Sequence, residues 1–256
     1  MTRPVPYIDP SRPRPRLRPL KAWNHMQNLL ADKEDTSQVF HIIEALNGNA
    51  IIRDFKQFIE SENGPTILAK RAYLPDMLDN HGPLEALPEG SVGHAYLKFM
   101  KREGLSAAGL VAESETQRAA MKDYDDDLQW YGNRLRDTHD LYHILSGYGR
   151  DVLGEDSLLA YTHSQHGGRG VNFIVFMGSR QIAKVAPAEI RLKEVISEAR
   201  RNGKAASRIV EQDIEALLRE PLDAARKRLN IAKPVMYKRA IRYLQEHNTE
   251  LMLAAA

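Results

Sequence analysis

Four side chains that commonly bind metal ions lie within seventeen positions near the middle of the chain: His139, Asp140, His143 and Glu155. Two imidazoles and two carboxylates suit a divalent cation of borderline hardness, such as zinc, iron or manganese. On an α-helix, His139, His143 and Asp140 project at about 0°, 40° and 100° around the axis, so one side of the helix carries all three. The residue types and their spacing therefore predict a divalent metal site.

Glycine-rich sequence separates Glu155 from the two histidines. Three glycines between positions 147 and 154 are expected to end the histidine-bearing helix and let the chain turn back. Glu155 would then open the next helix and share its inward face with Leu158 and Leu159. We therefore expect the metal site to lie between two adjacent helices.

The helix that carries the histidines is expected to begin near Asp125–Asp127, because acidic residues favour the positive end of the helix dipole. Its apolar positions recur at steps of three and four from Leu128 and continue into His139, so the histidines should point inward. Hydrogen-bonded core histidines, with the two carboxylates as their partners, are the alternative. Burying carboxylates with only Arg136 and Arg150 nearby would cost several kcal/mol, which favours a bound cation.

Three further polar residues could serve this site. His163 and His166 could add a ligand or a proton shuttle, although partly exposed surface histidines are the more ordinary interpretation. Asp137, just before the motif, could accept a hydrogen bond from the ring N–H of a ligand histidine.

Helical periodicity dominates the chain from Lys21 onward, which predicts an all-α fold with a single multi-helix domain. Ser91 is expected to cap a helix that begins at Val92, and Gly104 to end it. The apolar run Val171–Met177 could instead be a short buried strand. We divide the chain into an extended arm (1–20), a metal-binding domain (21–232) and a C-terminal helical extension (233–256).

Composition excludes several classes of protein. The 256 residues carry a net charge of +2, so nothing global points to a nucleic-acid partner. Without cysteine, disulfides and thiolate metal sites are absent. No apolar stretch of about 18 residues is present, so we expect no membrane-spanning helix.

The two ends of the chain differ from its middle. The arm holds six prolines and five arginines, so we expect it to clamp a partner or anionic lipid, or to lie solvated on the domain. The basic C-terminal extension could dock on the body of the protein, on a second subunit or on a membrane surface.

The segment His139–His143, separated by eleven residues from Glu155, resembles the signature of the coenzyme Q (ubiquinone) biosynthesis protein four family. Shorter segments fit the same family in the same order, and the resemblance runs from about Pro19 to Ile231. These segments are Leu87–Ser91, Arg136–Thr138, Gly147–Gly149 and Pro221–Leu229.

The resemblance implies an all-α protein of ubiquinone biosynthesis in which His139, Asp140, His143 and Glu155 bind the metal. Zinc is the first candidate metal, with iron or manganese as alternatives. The implied reaction replaces the ring carboxyl group at carbon 1 of a polyprenylated benzoate by a hydroxyl group. Implied partners are this substrate or another isoprenoid lipid, other ubiquinone-biosynthesis proteins and a membrane surface that the protein contacts peripherally; a homo-oligomer is also compatible with the sequence.

Two other functions stay open from sequence. One is a non-catalytic lipid-binding scaffold whose metal only holds two helices together. The other is a metal-dependent phosphohydrolase, although no distant His and Asp ligands with a recognisable spacing complete a two-metal centre. The prolines of the arm oppose the amphipathic helix of a mitochondrial presequence. This favours a bacterial cytoplasm, with peripheral membrane association, over the matrix side of the mitochondrial inner membrane.

Overall fold

The computed structural model describes residues 6–31, 37–118 and 122–247, and these residues form helices but no β-strand. The prediction of an all-α protein is confirmed. Two short 3-10 helices, Ala188–Ile190 and Ile209–Glu211, accompany the α-helices. The α-helices are, in chain order, α1 (Pro19–Ala31), α2 (Ser37–Leu46), α3 (Ala50–Glu60), α4 (Gly64–Lys70), α5 (Leu74–Leu78), α6 (His81–Glu85), α7 (Val92–Glu103), α8 (Ala107–Arg118), α9 (Asp127–Asp137), α10 (His139–Ser146), α11 (Val152–His166), α12 (Arg169–Val185), α13 (Leu192–Ala205), α14 (Ile214–Arg219), α15 (Leu222–Arg228) and α16 (Val235–Glu246).

The first of two compact units comprises Met1–Arg14, Ile51–Leu145 and Arg208–Leu229. Aromatic side chains of α3 and α9 form much of its core, with Tyr131 packed 5.3 Å from Phe55 and 5.1 Å from Phe58 between ring centroids. Burying such large rings supplies most of the hydrophobic stabilisation that a small unit can gain.

A buried polar network lies beside this aromatic core. The Tyr131 hydroxyl donates a 2.7 Å hydrogen bond to Asp54, and the Arg208 guanidinium pairs with the same carboxylate. Buried charges are tolerated when they are paired in this way.

Helix α7 belongs to the first unit and has the ends that the sequence predicts. Ser91 accepts a 3.2 Å hydrogen bond from the His94 backbone N–H and so caps the helix. Gly104 ends it in the left-handed region at φ +66°. Both boundary predictions are confirmed.

The second unit comprises Pro15–Ala50, Ser146–Ser207 and Asn230–Ala256. Helices α12 and α13 pack against α11, and α1 pairs with α2. Gly203 permits the closest approach of α13 to α11, since a Cβ atom there would lie 2.2 Å from the Tyr161 carbonyl oxygen. Any other residue at this position would force the two helices apart.

One alternative and one expectation from the sequence are wrong. The run Val171–Met177 is not a strand but part of the 17-residue helix α12, whose buried Ile174, Met177 and Ile182 recur at helical spacing. The helix that begins at Asp127 does not continue through the histidines: α9 ends at Asp137, and α10 begins at His139. Thr138, the one residue between the two helices, donates its hydroxyl to the Arg134 carbonyl oxygen at 2.9 Å.

Residues 6–14 of the N-terminal arm lie on the first unit. The Tyr7 N–H donates to the Asp127 carboxylate, the Asp127 N–H donates to the Tyr7 carbonyl oxygen, and Arg12 pairs with Asp126. This agrees with the expectation of an arm that lies on the protein, while residues 1–5 fall outside the described part. Helix α1 begins at Pro19, where a missing N–H is harmless, slightly before the expected end of the arm.

The C-terminal extension contains α16, which buries Tyr237, Ala240 and Leu244 within the second unit. Of the three docking possibilities for this segment, docking on the body of the protein is the one observed; residues 248–256 lie outside the described part. Among the described residues, none of the helices has both the length and the apolar character that crossing a bilayer requires.

Candidate metal centre

Helix α10 brings three of the four predicted ligands together. Metal-binding atoms of His139, Asp140 and His143 all lie within 4.8 Å of one another. The two histidines are one helical turn apart, with their Nε2 atoms separated by 3.2 Å and their ring planes at 84°. Asp140 and His143 are buried, and His139 is half-buried.

The separation of the two Nε2 atoms suits a shared cation. Zinc–nitrogen bonds of about 2.0–2.1 Å at a tetrahedral angle place the two nitrogens about 3.3 Å apart. Alternatively, one neutral imidazole could donate a hydrogen bond from its Nε2–H to the Nε2 atom of the other across the observed distance. In both cases the rings present their Nε2 atoms to the same point in space.

Asp140 adds an anionic donor to the two imidazoles. It is buried, with 8% of the residue exposed, and its carboxylate lies within 4.8 Å of both rings' metal-binding atoms. Two imidazoles and one carboxylate are a donor set that fits a divalent metal, and a carboxylate offsets part of the charge of such an ion.

Arg136, one of the two arginines that the sequence places near these carboxylates, is paired with another residue. Arg136 pairs with Asp137, with its Nη2 atom 2.7 Å and its Nε atom 2.8 Å from the Asp137 Oδ1 atom. Burial raises the pKa of Asp137 despite this arginine. Asp137 is thus held by Arg136, and its role as an acceptor for a ligand histidine stays a prediction.

Glu155 lies in the first turn of α11, as predicted. Asp151 caps this helix by accepting a 3.0 Å hydrogen bond from the Gly154 N–H. The carboxylate of Glu155 is half-buried, with an oxygen 4.0 Å from Arg150 Nε. Glu155 belongs to the second unit and the other three residues to the first, so its role as the fourth ligand stays a prediction.

His163 and His166 lie in the last two turns of α11 and are half-buried. Burial, followed by the charge of Arg200, lowers the pKa of His163. Within the described ranges, the group on α10 is the one set of three metal-capable side chains that converge, so neither histidine joins such a set.

Two aromatic residues of α7 also belong to this region, and sequence reasoning missed them. The Phe99 ring stacks on the His143 ring at 5.6 Å between centroids and 22° between planes. Tyr96, one turn earlier, is 1% exposed; burial raises the pKa of its hydroxyl, and the charge of Asp140 adds to the effect. Their spacing of three matches any core helix, so no sequence signal linked them to the histidines.

Comparison with known proteins gives one consistent result. Residues 21–235 match the family model described as "Coenzyme Q (ubiquinone) biosynthesis protein Coq4", a range that includes all four predicted ligands. The chain is 27% identical over 187 residues to the human "Ubiquinone biosynthesis protein COQ4 homolog, mitochondrial", covering 73% of this chain and 67% of the relative. It is 29% identical over 160 residues to an Aspergillus fumigatus "Ubiquinone biosynthesis protein coq4, mitochondrial", covering 59% of this chain and 50% of the relative.

The chain thus spans between half and about two thirds of these relatives. A crystal structure of a candidate ubiquinone biosynthesis protein from Nostoc punctiforme PCC 73102 has the same fold, with a TM-score of 0.58. The similarity covers 85% of this chain and all of the Nostoc chain, at 21% sequence identity.

Proposed function

Because the chain belongs to the Coq4 family of coenzyme Q (ubiquinone) biosynthesis proteins, we propose that it catalyses the metal-dependent oxidative decarboxylation of carbon 1 in a polyprenylated benzoate ring. The observation that carries the proposal is the convergence of Asp140 with two facing imidazoles, since metal-binding atoms of His139, Asp140 and His143 lie within 4.8 Å of one another. The proposed ligands are His139, Asp140, His143 and Glu155.

The reaction breaks the bond between carbon 1 and its carboxyl group and forms a carbon–oxygen bond there. It removes two electrons from the substrate, so an acceptor is required. With dioxygen as the acceptor, the ring acid, water and dioxygen give the phenol, carbon dioxide and hydrogen peroxide. With zinc, which has no redox chemistry, the ring phenolate must pass its electrons to dioxygen directly, whereas iron or manganese could take part.

A divalent ion at this site would supply a Lewis acid that binds a carboxylate or phenolate oxygen of the substrate. The protein's own contribution is to orient the ring and to keep water away. Buried Phe99 packs against His143, and buried Tyr96 lies one turn earlier on the same helix. The raised pKa of Tyr96 keeps its hydroxyl protonated, so it is available to donate a hydrogen bond to a substrate oxygen.

The proposal also covers partners and location. The polyprenyl tail requires an apolar surface, and the protein associates peripherally with a membrane and with other ubiquinone-biosynthesis proteins. Of the two locations open from sequence, the mitochondrial one is supported by the names of the curated relatives, which describe them as mitochondrial.

Replacing His143 by Ala tests the proposal. We expect the purified variant to lose its metal, from about one equivalent to almost none, and to lose turnover of a polyprenyl hydroxybenzoate, because the remaining donors are too few. Elemental analysis and product detection by mass spectrometry are the measurements. His163→Ala is the matched control, since this half-buried histidine lies outside the group on α10, and it should keep both metal and turnover.

Unchanged product formation by metal-free His143→Ala would reject the proposed reaction. A wild-type protein that binds metal without turnover, and whose His143→Ala variant loses thermal stability and partner binding, would instead favour the scaffold. A phosphohydrolase with two metals would need a second set of ligands, and the described residues bring together only the one on α10.

A further inference from the structure

An aromatic side chain of α7 lies directly against one of the proposed ligands. Phe99 is 7% exposed and His143 is 2% exposed, and their rings stack at 5.6 Å with 22° between the planes. Aromatic rings that lie 4.5–7 Å apart in offset stacks attract each other beyond the effect of burial. The contact therefore favours one orientation of the His143 ring over the others that its side chain could adopt.

Helix α7 is well suited to hold Phe99 in place. Neighbouring segments of the chain are hydrogen-bonded to both sides of its N-terminus: the Val92 N–H donates to the Glu220 carbonyl oxygen at 2.8 Å, and the Leu222 N–H donates to Gly90 at 2.9 Å. Helices α6, α14 and α15 pack against it. Because the helix is held in this way, Phe99 has a fixed position against which the His143 ring can be oriented.

The orientation of His143 decides whether the ligand atoms converge. The imidazole can rotate about its bond to Cβ, and that torsion is broad and poorly determined by the backbone. In the observed orientation its Nε2 atom faces the Nε2 atom of His139 at 3.2 Å, with the two ring planes nearly perpendicular. Rotation of the ring would move Nε2 away from this shared point, which reduces the number of donors that one cation can use.

We propose that Phe99 is a positioning residue for the metal centre, which sets the plane of the His143 ring through stacking and so raises the affinity for a divalent cation. This inference rests on the proposed metal centre. Phe99 itself offers no ligand atom, so its effect is on how well the existing donors are arranged before the ion arrives.

The test is a comparison of Zn²⁺ affinity between the wild-type protein and Phe99→Leu, by competition with a chromophoric chelator at fixed pH. Loss of the stack should weaken Zn²⁺ binding roughly three- to tenfold. Phe99→Tyr keeps the ring and should restore affinity close to that of the wild type. The visible spectrum of bound Co²⁺, which depends on coordination geometry, should change for Phe99→Leu and not for Phe99→Tyr.

Phe55→Leu is the matched control, because Phe55 is a buried phenylalanine of the same unit in a cluster that contains none of the ligands. It should lower the melting temperature as much as Phe99→Leu does and leave Zn²⁺ affinity unchanged. If Phe99→Leu does not fold, Phe99→Met provides a flexible apolar replacement for the same titration. The inference about Phe99 would be overturned if a folded variant that lacks the ring bound Zn²⁺ as tightly as the wild type. If the wild type did not bind Zn²⁺, the metal centre would be overturned as well.

Discussion

At the scale of single residues, Asp140 and Asp137 show how differently two buried carboxylates three positions apart can be treated. Asp137 is paired with Arg136, whereas Asp140 has no such partner in the described part of the chain. Neutralising Asp137 leaves the buried Arg136 without its carboxylate, whereas neutralising Asp140 removes a proposed metal ligand. The two substitutions should therefore differ in whether Zn²⁺ changes their effect on the free energy of unfolding.

We expect Asp140→Asn to leave the free energy of unfolding of the metal-free protein within about 1 kcal/mol of the wild-type value, since the amide has the same size and no ion pair is lost. The same variant should gain less than the wild type from added Zn²⁺, because stabilisation by a ligand follows its affinity for the folded state. Urea unfolding after chelation, and again with Zn²⁺ present, measures both effects.

Asp137→Asn is the control for that experiment. It removes the partner of Arg136, whose side chain is only 8% exposed, and should destabilise the metal-free protein. If metal-free Asp140→Asn were instead less stable than the wild type by clearly more than about 1 kcal/mol, Asp140 would be a structural residue with stabilising partners of its own.

At the scale of elements, one carboxylate joins the N-terminal arm to the start of α9. Asp126 caps α9 by accepting a 2.9 Å hydrogen bond from the Gln129 N–H, and it also accepts from the Asp9 N–H and from two nitrogens of Arg12. Burial alone would raise the pKa of Asp126, but the hydrogen bonds from Arg12, Asp9 and Gln129 outweigh it and lower the pKa to about 2.

The lowered pKa makes this contact dependent on pH. A carboxyl group that ionises more readily in the folded state stabilises the protein above its unfolded pKa of about 3.9, and the stabilisation is lost as the pH falls toward the folded value. Arg12→Ala should therefore reduce the free energy of unfolding by roughly 1–2 kcal/mol at pH 7. The difference from the wild type should shrink between about pH 4 and pH 2.

Denaturant titrations at a series of pH values would measure this difference. Arg14→Ala serves as the control, because Arg14 is an exposed arginine of the same arm without an ion-pair partner among the described residues, and its removal should change little. A difference between Arg12→Ala and the wild type that stays constant down to pH 2 would show that the Asp126 contact is not its source.

The elements also show how far sequence reasoning reaches. The ends of α7 were predictable because Ser91 and Gly104 act locally, through a capping hydrogen bond and a left-handed backbone. The break at Thr138 was not, because the apolar spacing of α9 continues into α10 and marks no boundary between them. Val171–Met177 failed for a related reason, since a short apolar run fits a buried strand and a buried helix equally well.

The candidate site also contains residues that the sequence predicts and one that it does not. His139, Asp140 and His143 are close in sequence, so helical geometry alone brings them together. Phe99 reaches His143 only through the packing of α7, forty-four positions earlier in the chain. Contacts of that kind depend on the tertiary arrangement, which one sequence does not specify by spacing.

At the scale of the whole molecule, the proposed polyprenyl substrate requires contact with a membrane. Helix α1 exposes Leu20 and Trp23, three residues apart, with 81% and 47% of their surface accessible. The preceding segment exposes Arg14 and Arg16, which have no ion-pair partner in the described part of the chain. Apolar and aromatic side chains next to free arginines suit a surface of anionic lipid, where each basic residue contributes about 1 kcal/mol.

We therefore expect the protein to bind vesicles that contain anionic phospholipid. The double variant Leu20→Glu/Trp23→Glu should bind them at least tenfold more weakly, because the substitutions remove apolar contact and add negative charges that the anionic lipid repels. Co-sedimentation at low and physiological salt measures this, and salt should weaken wild-type binding. Lys238→Glu/Arg242→Glu is the matched control. Helix α16 is also basic at these exposed positions, but its Tyr237 and Leu244 are buried and its exposed large apolar residue is Val235, which is smaller than Leu20 and Trp23. If the α16 variant lost binding and the α1 variant kept it, the membrane surface would have to be assigned to α16.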